Sequence, residues 1–158
     1  MSKILLENIQ GELEDNNFKI EHLEELYGYL NLIPSLTNQR LDRWNGLQVA
    51  NKLLEGQSLA SELHSIALRV KGRLYARRKR EFGLAFLERS QEYFKRMEIK
   101  STESGKTAYA EADELHVIAR EREAAAEALC TYLQNKVSEL EKGYYLCRSA
   151  HDTDLKGK

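Results

Sequence analysis

At 158 residues, with 42% apolar and 31% charged side chains, the chain is sized for one soluble domain and is too short to expect two. Its net charge is −1, which excludes a uniformly basic or acidic binding protein. No run approaches the ~18 apolar residues of a membrane-spanning helix.

Met1-Ser2-Lys3 leads into ILLENIQ, an apolar run too short for a secretion signal. Cys130 and Cys147 have neither CxxC spacing nor a neighbouring histidine pair, so they are expected to be reduced, buried thiols of a cytoplasmic protein. Charge is unevenly placed: residues 1–30 hold two basic and seven acidic side chains, whereas residues 63–100 hold eleven basic and four acidic. A nearly neutral chain with one such stretch concentrates positive charge in one place.

In chain order, Leu5, Ile9 and Leu13 repeat at helical spacing until the EDNN cluster breaks the pattern, and Leu23, Leu26 and Leu30 resume it before Pro34. This predicts two short helices. A further helix is expected from Thr37 or Asn38 to Gly56, with Gly56-Gln57-Ser58 supplying a C-cap followed by an N-cap. From Ser58 to about Lys100 a long helix follows, carrying two apolar stripes: Leu68, Tyr75, Phe82, Phe86, Tyr93 and Met97, and beside it Leu59, Leu63, Val70 and Leu74. Two stripes require two packing partners.

The last helix is expected from about Thr107 to Cys147, on a stripe of Leu115, Ile118, Ala126, Leu129, Leu133, Val137, Leu140, Tyr144 and Cys147, with Arg122 its one polar member. Two long helices joined by a short polar loop fold back as an antiparallel hairpin. The expectation is therefore all-α: one domain over residues 1–158, with short helices in 1–56 and a long hairpin in 58–148. The second stripe is to be covered by the N-terminal helices, by other subunits, or by both. A homo-oligomer, ring-like if its interfaces are head-to-tail, is the expected assembly.

The stretch STESGKT, Ser101 to Thr107, ends like a phosphate-binding P-loop. That motif needs a glycine five residues before Gly105, where Lys100 stands, and a buried strand before it, where KRMEIK continues an amphipathic helix. The stretch reads as the hairpin turn. His22, His64, His116 and His151 are scattered without metal-ligand spacing, and helical offsets bring no nucleophile, base and acid together. No cofactor, metal or catalytic pattern is present, which points away from an enzyme. Glu111, Asp113 and Glu114 read as first-turn acids favouring the helix dipole, and Trp44 as a core or interface anchor.

The sharpest signal is the basic run. Between Glu62 and Glu81 stand seven basic residues and no acid. Arg69, Arg73, Arg77 and Arg80 fall within an ~80° wedge of an ideal helix, a ridge suited to bidentate phosphate contact, while Lys71 and Arg78 point nearly the opposite way. Like charges at i,i+4 repel, so the ridge opposes helix stability unless an anion compensates. Arg69, Lys71, Arg73, Arg77, Arg78 and Arg80 are the run's candidate phosphate-binding residues. The alternative is a solvated face paired with acids of the N-terminal segment or with Glu111, Asp113 and Glu114. Tyr75, Phe82 and Phe86 interleave with the run, either as base-stacking platforms or as core.

Several short segments, in order, resemble the T4-type phage recombination mediators, the UvsY family. Leu6-Glu7-Asn8-Ile9-Gln10-Gly11-Glu12-Leu13 is similar to the family's opening Leu-Glu-x-apolar-Gln-x-Glu-Leu, and Lys71-Gly72-Arg73-Leu74 to its basic Lys-x-Arg-Leu. Lys106-Thr107 with Ala112-Asp113 is similar to its Lys-Thr…Ala-Asp segment, and the chain closes similarly on Gly157-Lys158. The family's glycine-rich stretch after the basic motif is replaced by RRKREFGLAF. The resemblance implies a non-enzymatic, ring-forming protein that binds single-stranded DNA through Lys71 and Arg73. It also implies a role in loading a RecA-like recombinase onto DNA covered by single-stranded-DNA-binding protein, in the cytoplasm of an infected bacterium. A virion or scaffold component built from helical hairpins, or an inhibitor of host nucleic-acid machinery, shares the same small helical format.

Overall fold

The computed structural model describes residues 6–34 and 43–156, and the side chains of 6–34 and 45–149. Every described element is helical. In order these are α1 (Gln10–Glu14), α2 (Ile20–Leu30), α3 (Arg43–Leu84), a π-helical turn (Ala85–Arg89), α4 (Ser90–Arg96), α5 (Glu103–Ala112) and α6 (Glu114–Lys156). The long helices α3 and α6 pack against each other, as the sequence leads one to expect. Among the described residues no helix is long and apolar enough to cross a membrane.

The chain divides into two compact units: residues 11–67 with 129–158, and residues 1–10 with 68–128. In the first, α1 ends on a left-handed residue, Asn17 (φ 61°), with the Phe18 amide bonded to the Leu13 carbonyl and the Asn17 amide to that of Glu14. This is the Schellman arrangement, and its usual apolar contact is supplied by Phe18 and Leu13, both buried. Asparagine tolerates that backbone better than most residues, which is why the EDNN cluster breaks the helix. In α2, Leu23, Leu26 and Leu30 are buried as their spacing requires.

The expected break at Gly56-Gln57-Ser58 is absent, because α3 runs through it. Gly56 has another role. A Cβ there would lie 2.6 Å from Tyr29 Cβ and 2.7 Å from its Cγ, so the missing side chain is what lets α2 lie on α3. Gly143 on α6 accommodates Leu53 and Ile33 in the same way. Tyr132 of α6 and Tyr27 of α2 are hydrogen-bonded; burial first, then Tyr27, pushes the Tyr132 hydroxyl well above its ordinary pKa. The N-terminal helices therefore cover part of the hairpin. The proposed helix start at Thr37 or Asn38 and the side chain of Trp44 lie outside the described residues.

The hairpin seam is a strict heptad. Leu53, Ala60, Ala67 and Leu74 of α3 are buried at intervals of seven, as are Ala119, Ala126, Leu133, Leu140 and Cys147 of α6, with Leu63 and Val70 beside the former. Seven-residue periodicity keeps one face turned to a partner along a supercoil. Of the expected stripe, Leu68, Tyr75 and Met97 are about half exposed, whereas Phe82, Phe86 and Tyr93 are partly buried. The alanines, weak marks in an apolar scan, define the seam because small side chains let two backbones approach. On α6 the buried set begins with His116 and Ala119, leaving Leu115 and Ile118 exposed.

The second unit closes the hairpin end differently from the expected turn. The helix expected to reach Lys100 passes through the π-helical turn and stops at Arg96. The Ile99 amide returns to the Phe94 carbonyl and that of Glu98 to Lys95, with Glu98 left-handed at φ 54°. Thr102 then caps α5, its hydroxyl accepting from the Gly105 amide at 3.1 Å. Gly105, Lys106 and Thr107 thus sit in the first turns of a ten-residue helix rather than in the reversal itself. A Cβ on Gly105 would approach the Phe94 ring to 3.0 Å, which accounts for the glycine without any phosphate. Asp113, extended at ψ 129°, breaks the chain before α6, so the last helix starts at Glu114 and not at Thr107.

Candidate nucleic-acid interface

The basic run lies on the part of α3 that belongs to the second unit. Three sequence features build it: α3 lacks a breaker from Ser58 onward, its seam residues Val70 and Leu74 hold it on α6, and the remaining positions are free for charge. Arg69, Arg73, Arg77 and Arg80 are exposed. Lys71 and Arg78, on the other side of the helix, meet acids of α6. Lys71 Nζ donates to Glu127 Oε1 at 2.8 Å, and Arg78 Nε lies 2.9 Å from Glu123 Oε2, an ion pair without hydrogen-bond alignment. The Lys71 hydrogen bond, then its charge, lowers the Glu127 pKa from its ordinary value.

The run is thus sorted by the fold. Lys71 and Arg78 are neutralised within the molecule, whereas Arg69, Arg73 and Arg80 form no ion pair with any described residue. Arg77 is exposed but has an interaction of its own. The three open guanidiniums lie within ~40° of one another at 100° per residue, spread over about three helical turns. That spacing suits successive phosphates of a strand lying along the helix.

The aromatic residues separate in the same way. Phe82 packs edge-on against the buried His116 at 5.3 Å and stacks on Phe86 at 6.3 Å, so both rings are engaged within their unit and half-buried. Tyr75 is exposed, with Arg78 5.3 Å and Lys79 5.6 Å from its ring centroid.

Composition alone does not reveal the clamp at the end of this unit. Arg89 Nε and Nη2 hold both oxygens of Asp113 at 2.8 and 2.7 Å, and Nη2 donates to the Glu81 carbonyl at 3.1 Å. Burial lowers the Arg89 pKa, but the Asp113 and Glu81 interactions outweigh it and raise it. Asp113 also accepts from the His116 amide at 3.2 Å, so it is the N-cap of α6 rather than a first-turn acid. An aspartate just before the run Glu114-Leu115-His116 is a recognisable cap signal.

The fold and the ridge together define a small all-α protein of helical-hairpin type bearing an exposed arginine ridge. No protein-family model matches the chain, and no curated protein or solved structure does either.

Proposed function

We propose that this chain binds single-stranded DNA without base specificity and acts as a recombination mediator. In this role it helps load a RecA-like recombinase onto strands covered by single-stranded-DNA-binding protein, working as a homo-oligomer in the cytoplasm of an infected bacterium. The observation that carries the proposal is the unequal treatment of the basic run. Acids of α6 take Lys71 and Arg78, while Arg69, Arg73 and Arg80 stand exposed on one face with no described acid. A like-charged ridge of this kind costs helix stability in isolation, and phosphate would remove that cost. The recombinase and the single-stranded-DNA-binding protein enter from the resemblance to UvsY-type mediators alone. Of the two contacts that resemblance implies, Arg73 is open, and Lys71 would have to exchange Glu127 for phosphate.

Titration of a labelled oligo-dT at two salt concentrations tests the reading. Wild type is expected to bind at low salt and to weaken steeply as salt rises, since each phosphate contact releases counterions. Arg73→Ala with Arg80→Ala should weaken binding and shallow the log–log salt slope by about one per lost contact. Arg78→Ala should change it less. No binding by wild type at low salt, or unchanged binding by the double variant, refutes the proposal.

A further inference from the structure

Helix α3 carries a second heptad outside the buried one. Leu47, Leu54, Ser61, Leu68 and Tyr75 stand seven residues apart, and the four large members are exposed to nearly the same degree: 49, 49, 49 and 46%. Four residues beyond the first four of them lie Asn51, Ser58, Ser65 and Gly72, all exposed. This face is directed away from the seam of Leu53, Ala60, Ala67 and Leu74. Scattered surface leucines need no explanation, but a strict seven-residue repeat is the period of a face followed by another helix. The serines and the glycine between the leucines leave room for that helix to approach.

We propose that this outer face joins two copies of the chain, α3 against α3, antiparallel about a two-fold axis at Ser61. The inference deepens the homo-oligomer in the functional reading above and rests on it for its setting. The pattern is its own complement in that register: Leu47 comes opposite Tyr75 of the second copy, Leu54 opposite Leu68, and Ser61 opposite Ser61. Charge selects the direction. A parallel pair would lay the seven-residue basic run against itself, which like-charge repulsion opposes. The antiparallel pair brings Glu55 of each copy beside Arg69 of the other, twice by symmetry, against one like-charged contact of Glu62 with itself near the axis. Such an interface is isologous and closes at two copies. Among the open arginines Arg69 is the nearest to this face, so the contact occupies it and leaves Arg73 and Arg80, further round the helix, for phosphate.

Sedimentation velocity of the full chain, with cysteine cross-linking, tests the inference. Cys130 and Cys147 are buried, so wild type gives a low cross-linking background. Ser61→Cys should form a disulfide-linked dimer on oxidation. Leu54→Cys should not cross-link alone, but should do so when mixed with Leu68→Cys. Leu54→Glu with Leu68→Glu, both at exposed positions, should weaken self-association at least ten-fold while far-UV circular dichroism stays helical. Glu55→Arg and Arg69→Glu should each weaken it, and their combination should restore it. A wild type that sediments as a monomer at tens of micromolar overturns the inference. So do a Leu54→Glu/Leu68→Glu variant of wild-type mass, failure of Ser61→Cys to cross-link, and self-cross-linking of Leu54→Cys. Oligo-dT binding measured on the same samples separates the two ideas. Self-association without DNA affinity refutes the functional proposal alone, and DNA affinity with an unaltered assembly in the glutamate variant refutes this one alone.

Discussion

Gly56→Ala should destabilise the protein, although replacing a helical glycine by alanine ordinarily stabilises it. In the middle of a helix the exchange is worth about 1 kcal/mol in favour of alanine. At Gly56 the added methyl would fall 2.6 and 2.7 Å from Tyr29 Cβ and Cγ. The Cβ is fixed to the backbone of α2, so no side-chain rotation can clear it and α2 must move. Overpacking of this kind costs about 1–3 kcal/mol. Displacing α2 also strains the Tyr27–Tyr132 hydrogen bond and the seat of Ile33 on Gly143. A net loss of up to about 2 kcal/mol is expected, or a Tm lower by up to roughly 8 °C at this chain length. Gly28→Ala, within α2 and with nothing within 4 Å of the new methyl, should instead raise Tm by about 2–4 °C. Thermal melts of both variants at one protein concentration read the difference. Adding Tyr29→Gly, which removes the Cβ that the new methyl meets, should recover about 1 kcal/mol in a double-mutant cycle. If Gly56→Ala is as stabilising as Gly28→Ala, α2 does not rest on that glycine and the packing argument fails.

Glu98 holds a left-handed backbone that disfavours a side chain, so Glu98→Gly should raise the urea midpoint by the equivalent of about 0.5–1 kcal/mol; an unchanged or lower midpoint would show that the helix end is not strained. The Glu127 carboxyl should titrate below 4.5, the ordinary value, because Lys71 favours its charged form. Since the folded pKa lies below the unfolded one, the stabilisation is present above pH 4.5 and is lost as pH falls through the folded value; at an exposed pair it is small. Carboxyl NMR should show the midpoint rise towards 4.5 in Lys71→Met, and an unmoved midpoint would break the assignment.

Helix content, the N-terminal pair of short helices and the hairpin were legible in the sequence, because proline occurs only at Pro34 and apolar residues recur at threes and fours elsewhere. The arginine ridge was legible too, since its members' relative directions follow from helical geometry alone. Other features depended on what lies across the space between helices. Gly56 looks like a stop signal until Tyr29 is placed against it. Lys71 and Arg78 look like phosphate ligands until Glu127 and Glu123, some fifty residues on, are brought within 3 Å. Leu68 and Tyr75 stand on an apolar stripe that asks for a packing partner, yet the seam went to the heptad of Leu53, Ala60, Ala67 and Leu74, where small side chains permit close approach. Local periodicity determines which faces a helix has. Only tertiary structure decides which of those faces is spent inside the chain, and which apolar and basic faces are left for a partner.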